Sequence, residues 1–421
     1  MFQNTEAFAK NEDNHDPLRQ YRSKFYIPII HGEESIYLAG NSLGLQVKST
    51  QDYITDELED WANFGVEGHV HARRPWLSYH EMFPALLTAL TGAKEKELVV
   101  MNQLTVNLHL LMTSFYRPDK KRYKIICEAK AFPSDQYALL SQVQLHGYND
   151  DAIIEINPRT GSAIIDTEDI ISAIEQHGNE LAVVMLGGVN YYSGQVFDMK
   201  QITGAAHKAG AYCGFDLAHA IGNVPLKLHE WNVDFACWCS YKYLNSGPGG
   251  VAGAYIHERH AENTSLFRLA GWWGHDKESR FIMDKQFNPI PTAEGWQLSN
   301  APVLSMAAHK AALDIFNEAG VENIFIKNKK LSDYLHFILD DINAAFPGTL
   351  EVITPREKDK GCQVSMLMLK DGKRIFEVLK RKGVIADWRE PNVIRIAPVG
   401  LYNLFMDVYR FGEIIRYALL N

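Results

Sequence analysis

Residues 211–250, AYCGFDLAHAIGNVPLKLHEWNVDFACWCSYKYLNSGPGG, contain two short apolar runs that each end in reactive chemistry. The first, 211–215, ends in Asp216, with His219 three residues on; the second, 233–240, ends in Tyr241 and Lys242. Short apolar runs bounded by Gly, Asn and Pro read as strands. An acid and a lysine therefore stand at strand carboxyl ends, the edge of an α/β sheet where departing loops line a crevice. Lys242 is followed by Asn245-Ser246-Gly247-Pro248-Gly249-Gly250, a run that lets the backbone pass close to a bulky ligand before the next strand, 251–257.

Upstream, strand-like runs at 97–101, 122–128 and 181–186 alternate with amphipathic stretches at 105–115, 137–146, 167–177 and 199–209. Such alternation predicts an α/β domain with a mostly parallel sheet and crossover helices on its faces. A long helical stretch, 303–319, leads out of it. Beyond, helices at 321–346 and 372–382, strands at 362–369 and 393–397, and a terminal helix from Met406 predict a smaller α+β domain.

The composition excludes several classes. The 421 residues are 46% hydrophobic and 22% charged, as in an ordinary globular protein with ample core. A formal charge of -9 leaves no basic excess for nucleic acid or an anionic membrane. No stretch approaches the ~20 apolar residues of a membrane helix. The start, MFQNTEAFAKNEDNHDP, is polar and acidic, unlike a secretory or transit signal. Five cysteines form no C-x-x-C pair, and Cys237 and Cys239 share one strand face, so a reducing cytoplasm is expected.

Several side chains carry candidate chemistry. A lysine at a crevice forms an imine with an aldehyde, and a nearby carboxylate keeps a pyridine nitrogen protonated; pyridoxal phosphate asks both of a protein. Thr105 opens a predicted helix, where it serves either as a phosphate contact or as a plain N-cap. Phe132 is placed to stack on a cofactor ring, and Asp135 either caps the helix after it or hydrogen-bonds the ring. Arg395 sits on a strand face and needs an anionic partner, a protein carboxylate or a substrate one. His69 and His71 have no acidic or cysteine partner at ligand spacing, so no metal is expected. Trp272 and Trp296 lie in loops rich in hydrogen-bonding groups and suggest an interface or a site wall. Gly40-Asn41-Ser42-Leu43-Gly44 matches the G-x-S-x-G nucleophile elbow, a rival reading as a serine hydrolase. The next helix starts too far on, near Ser49, for an elbow.

The run 215–250, with YLAGNSLGLQ (37–46), AFPSDQYA (131–138), GWWGH (271–275) and IRIAPVGLYN (394–403), resembles the kynureninases over nearly the whole chain. These are pyridoxal-phosphate enzymes of the aspartate-aminotransferase fold. The resemblance implies that Lys242 attaches the cofactor, Asp216 partners its pyridine nitrogen and Phe132 stacks on its ring. Leu104, Thr105, Pro133, Ser134, Asp135, His219 and Tyr241 would complete the cofactor site, with Tyr241 also moving protons. Trp272 and Asn300, and with them Ser42, would reach across from the other subunit of a homodimer with shared active sites. Arg395 would hold the substrate α-carboxylate. His69, Ser299 and Asn300 match members that prefer the ring-hydroxylated substrate, and Gly187 departs from members that carry a hydroxyl there. The implied reaction is hydrolytic Cβ–Cγ cleavage of L-kynurenine or 3-hydroxy-L-kynurenine to L-alanine and anthranilate or 3-hydroxyanthranilate, in tryptophan degradation and NAD biosynthesis. The expected division is an N-terminal segment, 1–50, packing on the small domain and the partner subunit, a large domain, 51–308, and a small domain, 309–421. An aminotransferase or desulfurase of the same fold, and a non-catalytic binding protein built on it, are the alternatives.

Overall fold

A computed structural model describes residues 1–356 and 360–421. Seven strands form the main sheet: β1 (Leu98–Val100), β2 (Lys124–Glu128), β3 (Ile153–Ile156), β4 (Leu181–Gly187), β5 (Tyr212–Asp216), β6 (Phe235–Trp238) and β7 (Gly253–Ile256), in the order β1-β7-β6-β5-β4-β2-β3. From β6 to β3 every neighbouring pair is parallel, whereas β7 runs antiparallel to both β6 and β1. The helices Pro133–Leu145, Thr167–His177 and Met199–Lys208 supply the crossovers from β2 to β3, β3 to β4 and β4 to β5, while residues 217–234 carry the chain from β5 to β6 without a helix. After β6 the loop 239–252 reverses the chain, and β7 returns antiparallel. Both sheet faces are covered: one packs on Leu104–Phe115 and Pro133–Leu145, the other on the larger core. That explains why the central strands are apolar along their whole length rather than alternating.

Two differences from the sequence reading bear on the site. The helix expected at 137–146 begins at Pro133, because proline is well placed in a first turn and Phe132 is the extended residue before it. The helix expected from Thr105 begins at Leu104, with Gln103 as its cap residue.

The second sheet holds β8 (Leu350–Val352), β9 (Val364–Met368), β10 (Asp387–Arg389) and β11 (Val393–Ile396), in the antiparallel order β8-β9-β11-β10. It shares a core with the helices Val321–Ala345, Gly372–Arg381 and Phe405–Leu420. The chain's first helix, Glu6–Asn14, lies against the last one. There the Asp13 carboxylate accepts from the N–H groups of Phe405 (2.7 Å) and Met406 (3.0 Å), closing the open end of that helix. Asp16 pairs with the buried Lys327 at 2.5 Å, and Ile36–Tyr37 adds in parallel to Val384–Ile385. Helix Val303–Ala319, inside which the expected boundary at 308/309 falls, packs on Thr50–Phe64, and its apolar side chains belong to the main sheet's core. Among the described residues no helix is long and apolar enough to cross a membrane, and all five cysteines are free and buried.

Candidate active site

β2, β4 and β5 are neighbours, and at one sheet edge they end in Glu128, Gly187 and Asp216. The loops leaving that edge line a cavity. Lining it are Leu104, Thr105, Phe132, Ser134, Asp135, Asp216, His219, Tyr241 and Lys242, nine residues that the sequence had pointed to separately. Residues more than a hundred positions apart meet because parallel strands bring all their carboxyl ends to one side.

Lys242 is half-buried, its Nζ 2.9 Å from Nε2 of His219 and 5.7 Å from the Phe132 ring centroid. Burial, reinforced by the Lys242 charge, holds His219 well below the usual histidine range, so its ring is neutral and Nε2 accepts from the ammonium. His219 is buried and its Nδ1 has no hydrogen-bond partner.

Asp216 accepts the Ala218 N–H at 2.7 Å and lies beside Asp135. Burial raises both carboxyls; the Asp216 charge raises Asp135 further, and Lys242 opposes the rise at each. Such a pair holds a shared proton or takes up a cation. At the helix start, Gln103 makes no side-chain capping bond, so the first-turn N–H groups around Leu104 and Thr105 face the cavity uncapped. Thr105 is the second helical residue, not the cap. A free helix N-terminus, a stacking ring, an acid pair and a lysine match the phosphate, ring, pyridine nitrogen and aldehyde of pyridoxal phosphate, and these residues fit that cofactor.

The glycine run after Lys242 does not cradle the cavity. Gly247 and Gly249 have φ of +91° and +63°, with open space where side chains would stand, so they make a turn. The close approach is at Gly44 instead. Its N–H donates to the Tyr241 carbonyl at 2.9 Å, and a Cβ there would overlap the Lys242 carbonyl oxygen. This accounts for G-x-S-x-G: the segment is a wedge under the lysine loop. Ser42 is exposed, and the following helix begins only at Thr50, so the strand–turn–helix of an elbow is missing.

Arg395, 1% exposed, stands opposite Asp387 in the β10–β11 register and pairs with its carboxylate, while its Nη1 donates to the Tyr191 carbonyl at 2.6 Å. A protein carboxylate, Asp387, is thus one partner of the guanidinium. Nε of Arg395 is buried without a partner, and Tyr191 lines the cavity, so the guanidinium lies just behind its wall. Asp387, Tyr191 and Glu128 were missed by sequence reasoning. Arg395's need for an anion was the only signal toward Asp387.

Besides Arg395 and Ser42, five expected residues do not line this cavity. Trp272, 47% exposed, donates from Nε1 to the Arg280 carbonyl at 3.1 Å. Ser299 and Asn300 are exposed, Pro133 points to the surface, and half-buried His69 packs edge-on to Trp76 at 5.5 Å with Nδ1 unpartnered.

Among solved structures, the fold is similar to a cysteine desulfurase from Escherichia coli (TM-score 0.75, 15% identity, 96% of this chain and 98% of that one). It is also similar to a C-DES mutant with glycine covalently linked to the PLP cofactor (TM-score 0.74, 13% identity, 90% and 96%). Residues 324–415 match the kynureninase C-terminal domain. The kynureninase of Flavobacterium psychrophilum is 54% identical over 423 residues, covering 100% of both chains. That of Homo sapiens is 45% identical over 429 residues, covering 97% of this chain and 92% of its own. Identity of this depth from end to end, on a fold whose sheet edge gathers Lys242, Asp216 and His219, places the chain in the kynureninase family.

Proposed function

We propose that the cavity around Lys242 is where this chain performs the kynureninase reaction, with pyridoxal phosphate as cofactor and kynurenine as substrate, in kynurenine catabolism. The supporting observation is the meeting of Lys242, the Asp216–Asp135 pair and the uncapped helix start in one cavity. Bound there, the cofactor supplies the electron sink that makes the substrate Cα proton removable. Lys242 would hold the cofactor, and its amine would take that proton. Asp216, backed by Asp135, keeps the ring nitrogen protonated. Phe132 stacks on the ring, Leu104 and Thr105 receive the phosphate, and Pro133 and Ser134 fix the turn that sets Phe132 and Asp135. His219 accepts from Lys242 without adding charge. Arg395 clamps the α-carboxylate and so orients the Cα bond to be broken. Burial pushes the Tyr241 phenol far above its ordinary value, so it carries its proton at neutral pH and acts as a proton donor when water cleaves the Cβ–Cγ bond.

The 3-hydroxylated substrate is the preferred one in this reading, with His69, Ser299 and Asn300 around its ring. Because Ser299, Asn300 and Trp272 do not line the cavity of their own chain, a second copy completes each site. Exposed Leu58, Trp61, Phe64, Val66 and Val70 offer apolar surface for that contact. The active form is then a homodimer, and the expected compartment is the cytoplasm. The N-terminal segment, 1–50, serves the small domain and the partner. A desulfurase would need a reactive loop cysteine, but burial pushes Cys362 up to about 12.

Borohydride reduction of cofactor-loaded protein, followed by peptide mapping, should find the adduct on Lys242, and Lys242→Ala should abolish anthranilate release. An adduct elsewhere, or a near wild-type rate in the variant, ends this assignment. For substrate preference, His69→Phe should lower the 3-hydroxykynurenine to kynurenine ratio of kcat/KM by about tenfold or more, the discrimination lost when a hydroxyl partner is removed. An unchanged ratio removes His69.

A further inference from the structure

Glu128 closes β2 at the edge where β4 ends in Gly187 and β5 in Asp216, and it lines the cavity without a task in the account above. It is 5% exposed, and the Gly187 N–H donates to its two carboxyl oxygens at 3.1 and 3.2 Å. A Cβ at residue 187 would stand 3.0 Å from Oε1 of Glu128. The carboxyl thus fills the room that a side chain at 187 would enter. Burial, with the Asp216 charge adding to it, pushes this carboxyl up to about 7. The charges acting between it and its neighbours are those of Asp216 from β5 and Asp135 from helix Pro133–Leu145, and Lys242 and His219 line the same cavity. Three carboxyls against one ammonium cannot all ionise, and near neutral pH Glu128 is an acid able to keep its proton.

A protonated carboxyl is a hydrogen-bond donor. Of the cofactor's polar groups, the phosphate belongs to the helix start and the ring nitrogen to Asp216 with Asp135. The phenolic oxygen is left, and Gly187 has no side chain to give it. We propose that Glu128 is a further cofactor-binding residue, whose carboxyl donates to the phenolic oxygen the hydrogen bond that residue 187 cannot. The inference rests on the cofactor assignment made above. Glu128 is un-ionised in this role; ionised, it would repel the same oxygen.

The test compares Glu128→Ala, Glu128→Gln and the double variant Glu128→Ala with Gly187→Ser, prepared cofactor-free and titrated with pyridoxal phosphate. Glu128→Ala should bind the cofactor about tenfold more weakly, the worth of one hydrogen bond to a charged oxygen. The pH midpoint of the bound cofactor's visible absorbance should rise by about half a unit or more, since a donor to the phenolic oxygen favours its anion. Glu128→Gln, whose amide donates from the same place, should keep wild-type affinity, and the serine at 187 should restore much of what the alanine lost. If Glu128→Ala binds normally with an unmoved midpoint while borohydride still fixes cofactor on Lys242, this inference falls and the Lys242 assignment stands. If Glu128→Gln is as weak as Glu128→Ala and the serine restores nothing, the residue only packs, and the inference falls again. Wild-type protein that fixes no cofactor on Lys242 would overturn both.

Discussion

Replacing Gly44 by alanine adds one methyl group directly beneath the lysine loop. Its Cβ would lie 2.6 Å from Nδ2 of Asn245 and closer still to the Lys242 carbonyl oxygen. Neither neighbour retreats easily: Asn245 is buried and donates to the Leu45 carbonyl at 2.9 Å, and the other atom is backbone. Reaching ordinary contact distance requires an opening of roughly 1 Å. Overpacking of this kind costs about 1–3 kcal/mol. The more telling loss is in rate, because the displaced backbone carries Nζ, and a misplacement of about 1 Å in a reacting group costs on the order of 10²-fold. The assay is anthranilate release at saturating cofactor, paired with denaturant unfolding. A kcat within twofold of wild type, with unfolding shifted or not, would show that Gly44 does not set the position of Lys242.

Stability should fall on acidification through buried histidines. His309 is fully buried against Phe83 with neither ring nitrogen partnered, and burial lowers both it and His336 to about 3. Because the folded value lies below the unfolded value of about 6.5, the stabilisation is complete above that pH and is lost as pH falls toward 3, at up to about 1.4 kcal/mol per pH unit per histidine. Denaturant midpoints at pH 7 and pH 5 should separate less in His309→Leu than in wild type; equal separations would count against the assignment. Asp387→Ala leaves the Arg395 guanidinium buried with one carbonyl as its remaining partner, and breaking such a pair costs about 3–5 kcal/mol. Melting temperature should drop and KM should rise more than kcat falls; wild-type KM would show that Asp387 does not orient Arg395.

The main-sheet half of the site was legible because its residues sit at the ends of apolar runs. Asp216 and Lys242 are each preceded by a strand buried on both faces, which leaves a continuous apolar signature. Edge and small-sheet strands leave little: Ile153–Ile156 is partly exposed and four residues long, and Asp387–Arg389 is half-buried and three. Asp387 was invisible for a further reason. Its meaning comes from lying across from Arg395 in a pairing register, and only the fold sets a register. Glu128 reads as the last residue of a strand until Gly187 is seen beside it. Trp272 and Asn300 carry motif resemblance but no local geometry that ties them to Lys242 in the same chain.

The contact between Asp13 and the amides of Phe405 and Met406 has a consequence for how the molecule is made. Helix Glu6–Asn14 finishes helix Phe405–Leu420 across 392 positions of sequence, so this part of the small lobe locks only once both segments are in place. A chain lacking residues 405–420 keeps a carboxylate with nothing to hold, and docking of one segment reports that the other has folded.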